Sequence, residues 1–325
     1  MSGPVTILGA GVAGLTAATE LVARGAEVRL IDPAGGPGDH GCSWWGGGML
    51  APFCEGETAE EPVVRLGQTA ADWWAAAGVE VARRGSLVVT PARDRADLDR
   101  FARRTQCHRW LDRAGITALE PGLDRFDRAL FFEGEAHIAP RDALAQLVRQ
   151  LDAAGIRIER DGTPTGQVLD CRGLAARADL PDLRGVRGEM AMLRAPDVTI
   201  TRPVRLLHPR HPIYVVPRGD GVYMVGATQI ESGHRGPATL RSTVELLNAA
   251  YSLDPGFAEA EVLELGADVR PAFPDNLPRL IRRGETIFLN GLFRHGFLLA
   301  PAMARMAADW ILDGKTPELS ACASS

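Results

Sequence analysis

The first 32 residues constrain the fold of this chain more than any other stretch. Residues 5–8 form a β-branched, largely apolar run, which is typical of a buried parallel strand. A glycine-rich turn follows at 9–14, and residues 14–24 have the composition of a helix that ends at a glycine. A second apolar run, at 28–32, closes with an acid. This order of strand, turn, helix and strand predicts a βαβ unit.

The three glycines of the turn have separate physical roles. Gly9 permits the tight turn, Gly11 lets the backbone approach a pyrophosphate, and Gly14 allows the helix to pack closely on the strand. The phosphates would then meet the positive end of the helix. Asp32 is placed to accept hydrogen bonds from two ribose hydroxyl groups, which disfavours a 2′-phosphate. We therefore predict an FAD or NAD site rather than an NADP site, the alternative being an ordinary glycine-rich turn.

Length and composition limit the classes of function. The 325 residues suffice for two domains, or for one with a large insertion. A net charge of −5 gives no basis for nucleic acid or an anionic membrane as partner, and no apolar run reaches the length of a membrane span. Because the chain enters its first strand without a basic segment or cleavage site, a cytoplasmic location is expected. The cysteines and histidines lack ligand spacing, so no metal site is predicted.

Lysine is nearly absent from the sequence. Lys315, near the C-terminus, is the only one, so every other basic side chain is arginine or histidine. Schiff-base catalysis needs a lysine amine in the core. That chemistry is therefore almost excluded.

Hydrophobic patterns predict further elements along the chain. Residues 58–76 and 93–113 each have the pattern of one helix, the first with an apolar face and the second strongly charged. A hairpin with a Gly-Asp-Gly turn is predicted at 213–226. Residues 286–291 predict a strand, and residues 297–312 predict a long helix that closes the first sheet.

These elements predict an α/β fold, more fully an α+β protein of two domains. One is a Rossmann-like nucleotide-binding domain, and the other is an interleaved, antiparallel, β-rich substrate domain. Strands predicted at 156–159 and 167–173 would extend the first sheet. The expected boundaries are 1–76, 135–175 and 270–325 for the nucleotide domain, and 77–134 and 176–269 for the substrate domain.

Three successive glycines follow two tryptophans in the segment 43–52, which has the sequence SWWGGGMLAP. One interpretation is a flexible surface loop with a tryptophan packed beneath it. The other is a backbone laid along a flat ring system that tolerates no Cβ. The position just after the second strand of a dinucleotide unit favours the second interpretation.

Several motifs give the chain a resemblance to a known family. They are the N-terminal βαβ unit, the segment 43–52, YVVPR at 214–218 with GAT at 226–228, Arg270-Pro271, and FRHGFLLAP at 293–301. With these motifs the chain resembles, from end to end, the D-amino acid oxidase family of flavoproteins. Within that family it is most similar to the glycine oxidase branch, which supplies glycine imine for the thiazole of thiamine. The C-terminal motif is the most specific part of the resemblance.

The resemblance implies a noncovalent FAD and a small amino acid as substrate. Arg270 and Tyr214 would hold the substrate carboxylate, and Arg294 would lie beside the substrate and the flavin. Besides the three glycines of the turn, contacts with FAD are implied for Val12, Ala13, Asp32, Pro33, Cys42, Ser43, Gly47, Gly48, Met49, Leu292, Phe293, Arg294, His295, Gly296, Phe297 and Leu298.

Two features depart from the family pattern. Gln229 stands where glycine oxidases can have an apolar residue near the substrate, which leaves the selectivity of the pocket open. Between Glu159 and Gln167 the chain is much shorter than the family's usual excursion of extra strands. No adenine-side contact is therefore carried over from that region.

The side-chain chemistry agrees with the implied roles. An arginine before a proline at a strand end, as Arg270 is, presents a rigid fork that matches a carboxylate, and Tyr214 can add a second donor. Two alternatives stay open: a core position for Tyr214, and a pairing of Arg294 with the flavin or with a structural carboxylate. The helix that starts near Phe297 would point positive charge at a reduced flavin.

The expected reaction is oxidation of glycine to its imine, with sarcosine or small D-amino acids as side substrates and O2 reduced to H2O2. Such chemistry depends on positioning and electrostatics, so the lack of an obvious acid-base pair is no objection. One alternative is a D-amino acid oxidase or dehydrogenase for larger side chains. The other is a flavin-binding protein of low turnover that delivers an imine to a partner. The thiazole synthase is the candidate partner, and the oligomeric state stays open, a homo-oligomer included.

Overall fold

The computed structural model describes residues 3–208 and 212–322. Its strands are β1 (Val5–Leu8), β2 (Val28–Ile31), β3 (Met49–Leu50), β4 (Ser86–Val89), β5 (Arg109–Asp112), β6 (Arg128–Phe132), β7 (Ala136–His137), β8 (Ile158–Glu159), β9 (Gln167–Asp170), β10 (Arg184–Arg194), β11 (Val204–Leu206), β12 (Ile213–Pro217), β13 (Val222–Gly226), β14 (Ile230–Glu231), β15 (Glu261–Ala272), β16 (Arg279–Arg283), β17 (Thr286–Asn290) and β18 (Ser320–Cys322). Its α-helices are α1 (Val12–Ala23), α2 (Pro52–Glu55), α3 (Glu61–Gly67), α4 (Ala70–Ala76), α5 (Arg95–Arg104), α6 (Arg113–Leu119), α7 (Pro140–Ala153), α8 (Leu240–Leu253) and α9 (Gly296–Asp313).

A seven-stranded sheet contains the N-terminal unit, with the strand order β18-β16-β17-β9-β1-β2-β8. The neighbours from β17 to β8 are parallel, as predicted for the strand at 156–159, and the strand predicted at 167–173 is present in the same sheet as β9. Val5 on β1 is buried because helices cover the sheet. Helix α1 packs beside α9, and the pair is joined by an Arg24–Asp309 ion pair at 2.5 Å. The predicted βαβ unit and the C-terminal strand and helix are confirmed.

A nine-stranded sheet holds strands from the middle of the chain. Its order is β14-β10-β13-β12-β11-β4-β6-β5, and β15 pairs along the whole length of β10. The hairpin predicted at 213–226 is confirmed as β12 and β13. Helix α8 covers one face of this sheet, where Leu246 and Leu253 pack in one buried cluster with Val225. Strands β3 and β7 form a third, two-stranded antiparallel sheet. The mixed α/β fold is the predicted fold class.

The predicted division into two domains stays a prediction. Strand β15 runs through the expected boundary at residue 270, because it continues to Ala272. Gly314, at φ 68°, ends helix α9, and the exposed Lys315 just beyond it pairs with Asp313 at 3.0 Å. Among the described residues, no helix has both the length and the apolar character needed to cross a bilayer.

The single helix predicted at 58–76 is wrong, because α3 and α4 take its place with a turn at residues 68–69. Both short helices pack on α9. At Gly67 the contact is so close that a Cβ atom would lie 2.8 Å from Leu298 Cγ. Because of the turn, both short helices can contact α9. One straight helix of the same length would lose contact with α9 at one of its ends.

The charged helix predicted at 93–113 is wrong beyond Arg104, where α5 ends. The chain continues as strand β5, which pairs antiparallel with β6 and buries Leu111. Beside it, the Arg128 guanidinium lies 4.2 Å from the ring centroid of Trp110. Pairing with a strand that is distant in sequence has overridden the local helical pattern.

Candidate active site

A cavity of about 1190 Å³ is lined by elements of both sheets. Pockets for small molecules typically have volumes of roughly 300–1,000 Å³, so this one has room for a large ligand. The N-terminal ends of α1 and α9 meet at its wall, where a Cβ atom on Gly296 would lie 3.4 Å from Val12 Cγ1. Two helix ends with partial positive charge therefore face one space.

The cavity brings together predicted site residues from both ends of the chain and from its middle. Gly14 is not among the lining residues, because a Cβ atom there would lie 1.8 Å from Gly9 O, which agrees with its predicted packing role. The contact that each residue makes with a ligand stays a prediction. Lining the cavity are Gly9, Gly11, Val12, Ala13, Asp32, Pro33, Cys42, Ser43, Gly47, Gly48, Met49, Tyr214, Arg270, Leu292, Phe293, Arg294, His295, Gly296, Phe297 and Leu298.

The glycine turn after β1 has the tight geometry that the sequence predicts. Gly9 has φ +95°, and a Cβ atom on it would lie 2.9 Å from Cys171 O. The first turn of α1 is capped from a distance, because Ser43 Oγ accepts a hydrogen bond from Val12 N at 3.0 Å. Ser43 thus links the 43–52 segment to the helix end where a pyrophosphate would bind.

Asp32 lies at the end of β2 with its carboxylate fixed by the backbone. Oδ2 accepts a hydrogen bond from Ala10 N at 2.6 Å, and Oδ1 accepts one from Ala34 N at 2.8 Å. Each carboxylate oxygen has a further lone pair, so both can still accept from ribose hydroxyl groups. The carboxylate therefore has a second role that the sequence did not reveal, which is to hold the glycine turn.

The glycines after the two tryptophans are required by neighbouring protein groups. A Cβ atom on Gly46 would lie 2.7 Å from the Phe297 ring, and one on Gly47 would lie 2.9 Å from the Tyr214 ring. Gly48 has φ +70°, and a Cβ atom there would lie 2.2 Å from the carbonyl oxygen of residue 138. Behind this loop, Arg218 donates a hydrogen bond to Gly47 O at 2.7 Å. The loop is therefore packed from several sides, which rules out the interpretation as a flexible surface loop.

Arg270 lies on β15 with its guanidinium at the cavity. The only side-chain hydrogen bond of Arg270 within the described residues is from Nη1 to Thr228 O, at 3.2 Å, and no described carboxylate pairs with the guanidinium. Gly188 on β10 makes room for this side chain, since a Cβ atom there would lie 2.1 Å from Arg270 Nη2. Tyr214 is half-buried and also lines the cavity, so it is not a fully buried core residue.

Arg294 belongs to a cluster of charges that the sequence analysis missed. Its Nη2 lies 2.8 Å from Glu55 Oε2, and the same group donates a hydrogen bond to Thr58 Oγ1 at 2.7 Å. Glu55 Oε1 accepts from Arg205 at 2.7 Å, and His295 Nδ1 lies 3.4 Å from Glu55 Oε2. Pairing with a structural carboxylate was the alternative that the sequence left open for Arg294. Its role beside a substrate stays a prediction.

Burial and charge determine the protonation states within the cluster. Burial alone would raise the pKa of Glu55, but Arg294 and Arg205 hold that pKa well below its usual range. Burial lowers the pKa of His295 to about 4; Glu55 opposes this shift, and the nearby arginines add to it. At neutral pH, Glu55 is therefore an anion between two guanidinium groups, and His295 is neutral.

The described residues fit an FAD molecule at this cavity. Two converging helix ends supply backbone N–H groups for a pyrophosphate, and Asp32 supplies acceptors for a ribose. The backbone of Gly46–Gly48 carries no side chains at the wall where a flat ring could lie. A net positive group of side chains, Arg205 and Arg294 against Glu55, lies near the start of α9.

Comparisons with known proteins agree with this site. The family described as DAO, FAD dependent oxidoreductase, matches residues 4–310. A protein of Rhizobium etli named as a thiamine biosynthesis oxidoreductase, ThiO, is 55% identical over 95% of this chain and 96% of its own length. A glycine oxidase of Pseudomonas aeruginosa is 28% identical over 98% of this chain and 96% of its own. The crystal structure of glycine oxidase from Geobacillus kaustophilus matches with a TM-score of 0.80 and 22% identity, over 97% of this chain and 95% of that one.

Proposed function

The chain belongs to the DAO family of FAD-dependent oxidoreductases, and from this premise we propose that it oxidises glycine to the corresponding imine. The observation that carries the proposal is Arg270, a guanidinium at the cavity that no described carboxylate neutralises. Such a fork matches the carboxylate of a small amino acid. The thiamine-related and glycine-oxidising relatives support this choice of substrate.

Substrate binding falls to Arg270 and Tyr214. The guanidinium would hold the carboxylate through two parallel hydrogen bonds, and the Tyr214 hydroxyl would add a third donor. Anchoring one end of so small a molecule fixes the position of its Cα and nitrogen atoms. Positioning of this kind can account for a large part of the rate enhancement in a two-reactant step.

The charged cluster would act on the substrate nitrogen and on developing negative charge. Arg205 and Arg294 exceed Glu55 by one positive charge, and the N-terminal end of α9 adds to this. A positive potential disfavours the ammonium form, so it favours the neutral amine whose lone pair drives oxidation. FAD, when bound, accepts two electrons from the amine and passes them to O2, which becomes H2O2. Neutral His295, which is 3% exposed, contributes packing rather than charge.

A second candidate substrate class is D-amino acids with larger side chains. Gln229 is exposed at the cavity wall, and the same wall continues along Leu207 and Ile213. A polar residue beside an apolar surface could receive a side chain that glycine lacks. Comparing kcat/KM for glycine with those for D-alanine and D-proline distinguishes the two classes.

The test of the proposed function is anaerobic addition of glycine to the purified yellow protein. We expect the flavin absorbance to bleach within one turnover, with equimolar imine-derived ammonia formed. Absence of bleaching by glycine, sarcosine and D-alanine would rule the proposal out. Bleaching by D-alanine alone would favour the second substrate class.

The proposal extends to the cellular setting. A cytoplasmic location and transfer of the imine to the thiazole synthase would place the reaction in thiamine biosynthesis. The 55% identity with the Rhizobium etli protein supports this assignment. Stimulation of thiazole formation in a mixture of the two purified enzymes, compared with separated compartments, is the corresponding measurement.

A further inference from the structure

The buried carboxylate of Glu135 lies outside the cavity, beside the short helix α2 that contains Glu55. Glu135 is 1% exposed and follows β6 in a turn. Its Oε1 accepts a hydrogen bond from Cys54 N at 2.7 Å, and its Oε2 accepts one from the Ser86 hydroxyl. Within the described ranges it forms no ion pair at salt-bridge distance, although Arg205 is near enough to interact with it electrostatically. Burying an acid away from water without a direct cation partner is costly.

The contact with Cys54 explains what Glu135 stabilises. Helix α2 has only four residues, and Ala51 before it offers no side-chain cap. The first N–H groups of a helix lack partners within that helix. Glu135 supplies the missing acceptor for Cys54 N from a distant part of the chain. Because Cys54 directly precedes Glu55, this bond fixes the backbone from which the Glu55 side chain extends.

Glu55 in turn depends on its exact position. Its Oε1 accepts a hydrogen bond from Arg205 at 2.7 Å, and its Oε2 lies 2.8 Å from Arg294 Nη2 in an ion pair without hydrogen-bond geometry. Hydrogen bonds between such groups are lost beyond roughly 3.2–3.5 Å. A shift of the α2 backbone by about 1 Å would therefore break the hydrogen bond and separate the ion pair. Without these contacts Arg294 would lose its orientation at the cavity, and His295 would lose its charged neighbour.

We propose that Glu135 is a positioning residue for the reaction proposed above: it holds the Cys54–Glu55 backbone so that Glu55 keeps Arg294 and His295 in place. This inference rests on the proposed function, since the rate it affects is that of flavin reduction by glycine. The competing explanation is a purely structural tie between β4, α2 and the turn after β6. That tie would affect stability without acting through Glu55.

The experiment compares Glu135→Met, Glu55→Gln and the double variant as holoenzymes, with Glu135→Gln as the conservative variant. Anaerobic stopped-flow gives the rate of flavin reduction at saturating glycine. We expect Glu135→Met and Glu55→Gln each to slow reduction at least about tenfold, and the double variant to be no slower than the slower single one. Glu135→Gln keeps an oxygen acceptor for Cys54 N and should stay within about threefold of the wild type.

The matched control is Glu120→Gln. Glu120 is also 1% exposed, but it pairs with Arg202 at 2.7 Å and does not line the cavity. Its substitution should lower the melting temperature and leave the rate of flavin reduction unchanged. Rate effects of Glu135→Met and Glu55→Gln that multiply would overturn the inference. So would a wild-type rate in Glu135→Met.

A second readout does not need turnover. The imidazole resonances of His295, assigned with His295→Gln, should shift in Glu135→Met and stay unchanged in Glu120→Gln. If glycine fails to reduce the flavin of the wild type, the proposed function fails. In that case the positioning role is judged by the resonances alone, and unshifted His295 resonances in Glu135→Met overturn it. Should Glu135→Met not fold, Glu135→Asp replaces it, because the shorter side chain withdraws its carboxylate from Cys54 N. A shifted His295 resonance in that variant supports the role, and an unshifted one overturns it.

Discussion

The two ends of the cavity are built in different ways. At the nucleotide end, backbone N–H groups, three glycines and Asp32 lie within one βαβ unit, so contacts are short in sequence. At the substrate end, Glu55, Arg205 and Arg294 come from three distant segments and meet as buried charges. The first end depends on the absence of side chains, and the second on their exact charge balance. Substitutions at the two ends should therefore fail in different ways.

The largest effect is expected from Gly14→Ala at the nucleotide end. The added methyl group would lie 1.8 Å from Gly9 O, which forces the helix away from the turn. We expect FAD to bind more than about 100-fold more weakly, because overpacking against backbone costs about 3 kcal/mol or more. Titration of the apoprotein with FAD measures this. Gly233→Ala is the control, since no atom lies closer than 4.0 Å to its added methyl group.

At the substrate end, Arg270→Ala should leave FAD in place and raise the KM for glycine. Two charge-assisted hydrogen bonds to the carboxylate would be lost, which corresponds to roughly 100-fold. Steady-state kinetics and the flavin content of the purified variant test both parts. Arg283→Ala, at the exposed C-terminal end of β16, is the control. If Arg270→Ala lost FAD binding and glycine binding to the same extent, the proposed difference between the two ends of the cavity would be contradicted.

The pH dependence of stability should also be traceable to the substrate end. Burial lowers the pKa of His295 to about 4 in the folded chain, whereas the same side chain has a pKa of about 6.5 in the unfolded chain. Between these two values the unfolded chain binds a proton that the folded chain does not bind. Stability from this group is complete above pH 6.5 and decreases as the pH falls toward about 4. Between pH 7 and 5 the expected loss is about 2 kcal/mol.

Urea unfolding of the wild type and of His295→Gln at both pH values measures this contribution. Glu135 changes the stability with pH in the opposite direction to His295. Burial raises the pKa of Glu135 to about 7, so its contribution to stability is lost as the pH rises through that value. The difference between the two proteins isolates His295. An unchanged pH slope in His295→Gln would contradict the assignment of a neutral, buried imidazole.

The smallest effect is expected from Asp32→Ala. Loss of the ribose acceptors and of the bonds to Ala10 N and Ala34 N should weaken FAD binding about tenfold, since each such bond contributes roughly 1 kcal/mol. Asp32→Asn keeps one acceptor oxygen, so its FAD affinity should lie between those of the wild type and Asp32→Ala. Unchanged FAD affinity in Asp32→Ala would remove the ribose assignment while leaving the glycine turn as the main feature of that end.

The difference between the two ends also explains what the sequence could predict. Gly9, Gly14 and Asp32 lie within one local pattern, so their geometry followed from spacing alone. Glu55 and Arg205 carry no local signal, because their significance comes from contacts across the fold. The same reason explains the failure at 93–113, where the charged pattern is helical but pairing with β6 decides the structure.

The scarcity of lysine has a practical consequence. Lys315 lies beyond the C-terminal end of α9, whereas the cavity lies at the opposite end of that helix. An 18-residue helix is about 27 Å long, so a reagent attached to this amine stays far from the bound flavin. Amine-directed dyes or tethers would therefore find a single lysine side chain, which lies at the end of α9 away from the cavity.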